Sequence, residues 1–173
     1  MPDNPKDTSP QNDKGVDAEL RRAQLQLRLA EIEEAHTVME HIAQGRGQMI
    51  ADKNLRRKGY IGASSRGLDG IDWKLWKDRV YCQDITVLGH SFGAATTVEI
   101  LRNSDRFDRV AQGVIYDIWG AAIDPRDEGP KHRVTLPLLA INSEAFMYWS
   151  KNFNAVQSLV QEAKTQGAPA WML

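Results

Sequence analysis

The sequence of 173 residues contains a single cysteine, no long apolar run and almost no net charge. One cysteine, Cys82, cannot form a disulfide within the chain, which is typical of proteins from reducing compartments. No stretch approaches the roughly 18 consecutive apolar residues of a membrane-spanning helix. A net charge of −1 gives no long-range attraction for nucleic acid. We therefore predict a cytoplasmic protein with no transmembrane segment and no nucleic-acid partner.

Patterns for cofactors and targeting are also missing from the sequence. The first 15 residues, MPDNPKDTSPQNDKG, have neither the apolar segment of a secretory signal nor the arginine-rich pattern of a transit peptide. The glycine- and serine-containing segment 61–70 lacks the spacing of a P-loop or a dinucleotide fingerprint. No group of His, Cys and carboxylate residues has the spacing of a metal site. We therefore expect no bound cofactor and no metal ion.

Charged residues are distributed unevenly and predict three segments. Residues 1–80 contain 27 charged side chains, and residues 81–173 contain 18. Residues 1–16 are too poor in apolar side chains to offset the entropy of ordering, so we predict a flexible arm there. Residues 17–80 are predicted to form a charged helix and loop region, and residues 81–173 the core segment.

A long helix is predicted from about Asp17 to Gln44, where helix-forming residues dominate. Asp13 or Asp17 is placed to cap its first turn, and glycines at 45 and 47 end it. Two apolar stripes recur at helical spacing: Val16, Leu20, Ala23, Leu27 and Ala30 form the first, and Leu25, Leu29, Ile32 and Met39 the second. We expect the helix to pack on a globular body. A coiled-coil arm is the alternative, although no strict heptad seam is sustained.

Short β-prone runs alternate with helical segments after residue 84. Strands are predicted at 85–88, 110–116 and 136–141, and the last residues, APAWML, resemble the start of another strand. Helices are predicted directly after residue 93 and over 152–166. This order predicts the α/β class, with a mainly parallel sheet, flanking helices and a long charged helix in front. The run at 85–88, Ile-Thr-Val-Leu, is β-prone and suited to a buried strand, so we expect it to be buried.

The segment GHSFG at residues 89–93 matches the nucleophile-elbow pattern G-x-S-x-G. An apolar strand precedes it and a helix follows it, as the motif requires. Such a turn holds the serine in a strained conformation, and the flanking glycines avoid side-chain clashes. We therefore predict Ser91 as a catalytic nucleophile. The backbone N–H of Phe92, at the helix N-terminus, is the predicted donor to an oxyanion.

A serine nucleophile also needs an acid and a histidine. Asp117 and Glu144 each follow a predicted strand, so both are candidates for the acid and position alone does not decide between them. The loop acids Asp124, Asp127 and Glu128 are expected to be solvated. No histidine is well placed for the base. His132 precedes the strand at 136–141 and is expected nearly 20 Å from the catalytic edge.

The other three histidines are predicted to have structural roles. His90 adjoins Ser91 in the chain, so its side chain leaves the elbow differently and packing is the expected role. His36 and His41 precede the serine and are expected on the surface of the long helix. The residues therefore predict a nucleophile and an acid without a base.

Several segments in order resemble the platelet-activating factor acetylhydrolases of the plasma and intracellular type II group, in their fungal form. The matching segments are RRKGY, SSRGLDGIDWKLWKDRV, GHSFGAAT, RF, YDIWG and PLLAINSEAFMYW. The resemblance implies a partial α/β-hydrolase fold and calcium-independent hydrolysis of short or oxidised sn-2 acyl groups of phospholipids. It also implies Ser91 as the nucleophile, Phe92 as an oxyanion donor and Asp117, rather than Glu144, as the triad acid.

The resemblance implies two differences from a complete enzyme of this group. The group's base is a histidine after the next strand, and the chain stops at Leu173 before reaching it. The group's second oxyanion donor comes from an early loop that residues 1–60 do not match. We therefore expect a serine esterase with phospholipid substrate, transient membrane-surface contact and severely impaired activity. The alternative is a non-catalytic fragment, an incomplete gene model or a protein that binds a partner through its helix.

Overall fold

A computed structural model describes residues 16–59, 68–123 and 132–173. Six α-helices lie in these ranges: α1 Ala18–Ala43, α2 Gly47–Lys53, α3 Leu55–Lys58, α4 Phe92–Arg102, α5 Glu144–Met147 and α6 Ser150–Thr165. Four strands accompany them: β1 Ile85–His90, β2 Val110–Tyr116, β3 Leu138–Ile141 and β4 Ala170–Met172. Short 3₁₀ helices span Trp73–Trp76 and Gly120–Ala122. The predicted arm lies outside the described residues, except for its last residue, Val16.

The described residues form two compact units. Residues 16–30 and 84–173 make the first unit, and residues 31–83 make the second, so that α1 begins in one and ends in the other. The predicted segments 1–16, 17–80 and 81–173 stay predictions. No helix among the described residues is long and apolar enough to cross a bilayer.

The four strands of the first unit form one parallel sheet in the order β1-β2-β3-β4. Parallel neighbours need a crossover, and α4 joins β1 to β2 while α6 joins β3 to β4. The predicted α/β class with a parallel sheet and flanking helices is therefore confirmed. The predicted strand at 110–116 has the bounds of β2, and the residues APAWML contain β4.

One face of the sheet carries the core of this unit. Gly113 of β2 lies so close to α4 that an added Cβ would stand 2.7 Å from Leu101 Cδ1. Its neighbours in the register, Leu138 of β3 and then Ala170 of β4, are also buried. The prediction that the first strand is fully buried is wrong. Burial alternates along β1, and Leu88 on the opposite face is 71% exposed, because α4 packs against one face of the strand only.

The first half of α1 packs through a narrower stripe than predicted. Asp17 Oδ1 accepts the Leu20 N–H at 3.0 Å, which confirms Asp17 as the capping candidate. Leu25 and Leu29 of the second predicted stripe are buried, whereas Leu27 of the first stripe is 59% exposed. The reason is that the buried face continues through Arg21, whose guanidinium lies 4.8 Å from the centre of the Trp119 ring. A charged residue, Arg21, thus lies on the buried face of α1, where the apolar pattern of the sequence does not indicate burial.

A buried ionic network joins α4 to α6. Arg102 is 3% exposed and donates to both carboxylate oxygens of Glu162, at 3.2 and 2.9 Å. It also donates to Glu99 at 3.2 Å, and Glu99 lies 2.8 Å from His132 Nε2. Glu162 accepts the Val134 N–H as well. The network offsets the cost of burying these charges by pairing each of them.

The second unit is organised around a close helix contact. An added Cβ at Gly47 in α2 would overlap the ring of Trp73, so the indole packs directly on the helix backbone. His36 Nε2 lies 3.2 Å from the Cys82 carbonyl oxygen. His36 and His41 were expected on the surface of the long helix, and both are partly buried. Burial, with a contribution from Glu40, raises the pKa of the Cys82 thiol above its ordinary value.

Replacing Arg102 with methionine is expected to lower the free energy of unfolding by about 3 kcal/mol, because it leaves two buried carboxylates without their cation. Urea denaturation measures the change. Lys164→Met is the matched control, because Lys164 is exposed on α6, the helix that carries Glu162. It is expected to change the free energy of unfolding by about 0.5 kcal/mol or less. A loss below about 1 kcal/mol for Arg102→Met would contradict a stabilising role for the network.

The raised pKa of Cys82 predicts a shifted pH profile for alkylation. The thiolate is the reactive form, so the midpoint of the iodoacetamide rate against pH should be higher in the folded chain than in urea. Glu40→Gln removes the smaller of the two causes and should move the midpoint part of the way down. Identical midpoints in folded and unfolded chain would exclude the shift.

Candidate active site

Ser91 sits at the sharp turn between β1 and α4. Its backbone has φ 55° and ψ −117°, a left-handed conformation that non-glycine residues rarely adopt. The carbonyl of Ser91 accepts the N–H groups of Ala94 and Ala95, which begins the helix, and its own N–H donates to the Tyr116 carbonyl at 3.1 Å. The turn predicted from GHSFG therefore has the strained strand-to-helix form of a nucleophile elbow. Strain of this kind often marks functional sites.

The two glycines of the motif are not equivalent. A Cβ on Gly89 would lie 2.1 Å from the Gly93 carbonyl oxygen, so that only glycine fits beneath the turn. Apart from its chain neighbours and the backbone of α4 itself, a Cβ on Gly93 would meet no atom within 4 Å. The expectation that both glycines prevent clashes is thus confirmed for Gly89 and wrong for Gly93. The chain folds back over residue 89, while residue 93 lies on the open side of the first helical turn.

Phe92 is the first residue of α4. The first N–H groups of a helix have no partner within the helix, and the helix dipole makes this end partly positive. The Phe92 N–H therefore lies beside Ser91 in a position suited to donate to a negatively charged oxygen. The centre of the Phe92 ring lies 6.3 Å from the centre of the Trp119 ring.

Asp117 directly follows β2 at the same edge of the sheet. His90 pairs with Tyr116 in the parallel register, so Ser91 and Asp117 are the next residues of two adjacent strands. Adjacent strands lie about 4.8 Å apart, so the two backbones are neighbours. Asp117 also has a positive φ, of 42°. Both candidate residues therefore leave their strands in the left-handed conformation.

The Asp117 carboxylate is held by the backbone of the following strand end. Asp117 Oδ1 accepts the Ser143 N–H at 2.7 Å, and the Asp117 N–H donates to the Ile141 carbonyl. Glu144, the other acid considered, is exposed in the first turn of α5. The part-buried, oriented carboxylate at 117 is better suited to hold a histidine than the exposed one at 144.

No role was predicted for Trp119 or Asn152, yet both make hydrogen bonds around the residues that follow Asp117. The Trp119 N–H donates to the Ser91 carbonyl at 3.2 Å, and Asn152 Oδ1 accepts the Gly120 N–H at 2.7 Å. Trp119 belongs to the segment YDIWG, which the family resemblance had already marked. No local pattern indicated Asn152, because its partner, Gly120, is 32 residues away in the chain.

Within the described ranges, no histidine hydrogen-bonds to Ser91 or Asp117. His132 is bonded to Glu99, which lies two helical turns, or about 12 Å, along α4 from Ser91, so this histidine is engaged away from the edge that carries Ser91 and Asp117. His90, for which a packing role was expected, is exposed at the end of β1 and its ring lies 5.7 Å from that of Tyr116. The loop acids Asp124, Asp127 and Glu128 lie outside the described residues.

The described part of the chain shows no group of three His, Cys, Asp or Glu side chains that would hold a metal ion. What the site brings together is a strained serine, a helix N-terminus and an oriented carboxylate. Groups of these three kinds can serve as a nucleophile, an oxyanion donor and an acid that orients a base.

Gly89→Ala and Gly93→Ala form a matched pair that tests the elbow geometry. Gly89→Ala should lower the free energy of unfolding by several kcal/mol, because its Cβ overlaps backbone that cannot move aside. Gly93→Ala should be neutral or slightly stabilising in urea denaturation, since it adds a methyl group to a helix without a clash. Equal effects of the two substitutions would contradict this geometry.

Comparison with known proteins identifies a family for most of the chain. Residues 8–168 match the family model described as "Platelet-activating factor acetylhydrolase, isoform II". The platelet-activating factor acetylhydrolase of Gallus gallus is 38% identical over 89 residues, covering 51% of this chain and 20% of the relative. The proteins of the same name from Canis lupus familiaris and Bos taurus are 36% and 35% identical over 78 residues, which cover 45% of this chain and 16% of each relative.

The matches thus span between 16% and 20% of the length of these relatives, whereas the family model covers nearly the whole chain. The resemblance to this family is confirmed by the family model and by the named relatives. This chain belongs to the platelet-activating factor acetylhydrolase isoform II family.

Proposed function

We propose that this chain carries the nucleophile and the acid of a serine esterase that hydrolyses short sn-2 acyl groups of phospholipids. The observation that carries the proposal is the pairing of Ser91 and Asp117, two residues with positive φ at the ends of adjacent strands. The names of the relatives, which are acetylhydrolases of platelet-activating factor, support the substrate class. The activity is that of a 1-alkyl-2-acetylglycerophosphocholine esterase.

The proposed reaction is acyl transfer in two halves. Ser91 Oγ attacks the sn-2 ester carbonyl while a base removes the hydroxyl proton, and the Phe92 N–H stabilises the oxyanion. The C–O bond to the glycerol then breaks, and the lysophospholipid oxygen takes the proton from the base. Water hydrolyses the acyl-serine by the same route and releases the short acid. Asp117 holds the base in the required tautomer.

The missing component is the base. In the residues that the structure describes, no histidine is hydrogen-bonded to Ser91 or Asp117: His132 is bonded to Glu99, and the ring of His90 lies beside that of Tyr116. We propose that the 173-residue polypeptide is severely impaired, because a triad without its histidine retains only the contribution of binding and the oxyanion donor. A small diffusible base should therefore restore part of the activity.

Exposed apolar side chains beside Asp117 support contact with lipid. The short helix α5 begins directly after Ser143, whose N–H is bonded to Asp117. It ends at the exposed Met147, and the next residue, Tyr148, is 79% exposed. Aromatic and flexible apolar side chains of this kind suit the boundary between water and acyl chains. We propose that these side chains make a transient contact with a membrane surface. We further propose that the enzyme is cytosolic and has no nucleic-acid partner.

A second candidate is an interaction protein without catalysis. The exposed apolar stripe of α1, which includes Leu27, favours it, because this side chain is 59% exposed on a helix face. In this case Ser91 would have no chemical role. The two candidates therefore differ in whether any hydrolysis depends on Ser91.

Imidazole rescue tests the proposed function. Acetate release from a 2-acetyl phospholipid is measured with and without imidazole, for the wild-type chain and for Ser91→Ala. We expect imidazole to raise the Ser91-dependent rate by about 100-fold, the lower end of general-base contributions. Ser91→Ala subtracts hydrolysis by imidazole alone, and Asp117→Asn should weaken the rescue. Equal rates for wild type and Ser91→Ala, with imidazole present, would reject the esterase in favour of the interaction protein.

A further inference from the structure

The loop of residues 117–120, which carries Asp117, is fixed at four points. Asp117 N–H bonds to Ile141, and Asp117 Oδ1 accepts from Ser143. The Trp119 N–H bonds to Ser91, which ties the loop to the elbow. The fourth point is a side chain: the Gly120 N–H donates to Asn152 Oδ1 at 2.7 Å, the same length as the bond from the Ser143 N–H to Asp117 Oδ1.

Asn152 is buried to an extent that is rare for a polar residue. It is 2% exposed in the first turn of α6, where it faces the loop rather than solvent. Its amide Nδ2 is buried and has no hydrogen-bond partner in the described structure. An unsatisfied buried donor is destabilising, so what an asparagine contributes at this position is the acceptor oxygen that the Gly120 N–H uses.

The backbone at Gly120 lies directly against α6. A Cβ on Gly120 would stand 2.7 Å from Ala155 Cβ and 2.9 Å from Asn152 Oδ1. The lack of a side chain at 120 allows the Gly120 N–H to reach the Asn152 amide oxygen. Since Gly120 is three residues after Asp117, a shift of the loop at this contact moves the carboxylate with it.

We propose that Asn152 is a positioning residue, which holds the 117–120 loop so that Asp117 and Ser91 keep their relative placement. The proposal deepens the proposed function and rests on it for the role of Asp117. Asn152 does not touch the reacting atoms. It holds Gly120 and, through the loop backbone, Trp119, whose N–H is bonded to Ser91 at the elbow. By the same backbone it holds Asp117, whose carboxylate accepts the Ser143 N–H.

Two substitutions at 152 separate the hydrogen bond from the volume of the side chain. Asn152→Leu keeps a similar size and removes the acceptor, whereas Asn152→Asp keeps an acceptor oxygen. Asn154→Leu is the matched control, because Asn154 is an exposed asparagine on the same helix. Gly120→Ala is an independent variant, which displaces the loop from α6 without altering Asn152.

Amide hydrogen exchange of the full chain, followed residue by residue by NMR, gives the readout that does not depend on activity. Asn152→Leu should accelerate exchange at Gly120 about tenfold, and should also accelerate it at Trp119 and Ser143, whose partners are Ser91 and Asp117. Asn152→Asp and Asn154→Leu should leave all three amides near wild type. Faster exchange at Gly120 alone, without any change at Trp119 and Ser143, would overturn the positioning role.

Imidazole-dependent acetate release gives the second readout. Asn152→Leu and Gly120→Ala should lower kcat about tenfold with little change in KM, because the loop orients the acid without binding substrate. Asn152→Asp should recover most of the loss. Unchanged kcat in Asn152→Leu would overturn the proposal. If wild type itself shows no Ser91-dependent release, the proposed function fails, and the exchange at Trp119 and Ser143 still decides whether Asn152 positions the loop.

Discussion

The turn at Ser91 depends on the space beneath it, and the rest of the site depends on that turn. The Gly93 carbonyl lies where a side chain at residue 89 would be, so the chain passes from β1 into α4 within one residue. This places Ser91 in its left-handed conformation and orients the first N–H groups of α4 beside it. Without the close approach at Gly89, neither the strained backbone of Ser91 nor the adjacent helix N-terminus would have this form.

The parallel register extends this constraint to the neighbouring strand. His90 and Tyr116 are paired, so that the residues after them, Ser91 and Asp117, emerge together at one edge of the sheet. Hydrogen bonds from Trp119 to Ser91 and from Ser143 to Asp117 then join the ends of three strands. The placement of Ser91 beside Asp117 is thus a property of the sheet edge, and no histidine takes part in it among the described residues.

Much of this arrangement was predictable from local sequence. The β-branched and apolar runs located β2 correctly, and GHSFG located the elbow, because both signals lie within a few neighbouring residues. The choice of Asp117 over Glu144 required family resemblance, since two acids follow two strands equally well. Burial was harder to predict. The first stripe of α1 is as apolar as the second, and only the packing of Arg21 and Leu25 shows which one faces the core.

Contacts between distant segments could not be predicted from the sequence. The hydrogen bond from Gly120 to Asn152 and the network around Arg102 each join helices that are far apart in the chain, and no periodicity marks their residues. The exposure of Leu88 was missed for a related reason. An apolar strand predicts a core position, but whether its second face is covered depends on the rest of the fold.

Covalent labelling tests the central claim, that Ser91 is a chemically activated serine, most directly. The purified chain is incubated with a fluorophosphonate and imidazole, digested and analysed by mass spectrometry. The account predicts modification of Ser91 ahead of every other serine, with loss of that selectivity in urea. Labelling of Ser91 no faster than the remaining serines of the folded chain would contradict it.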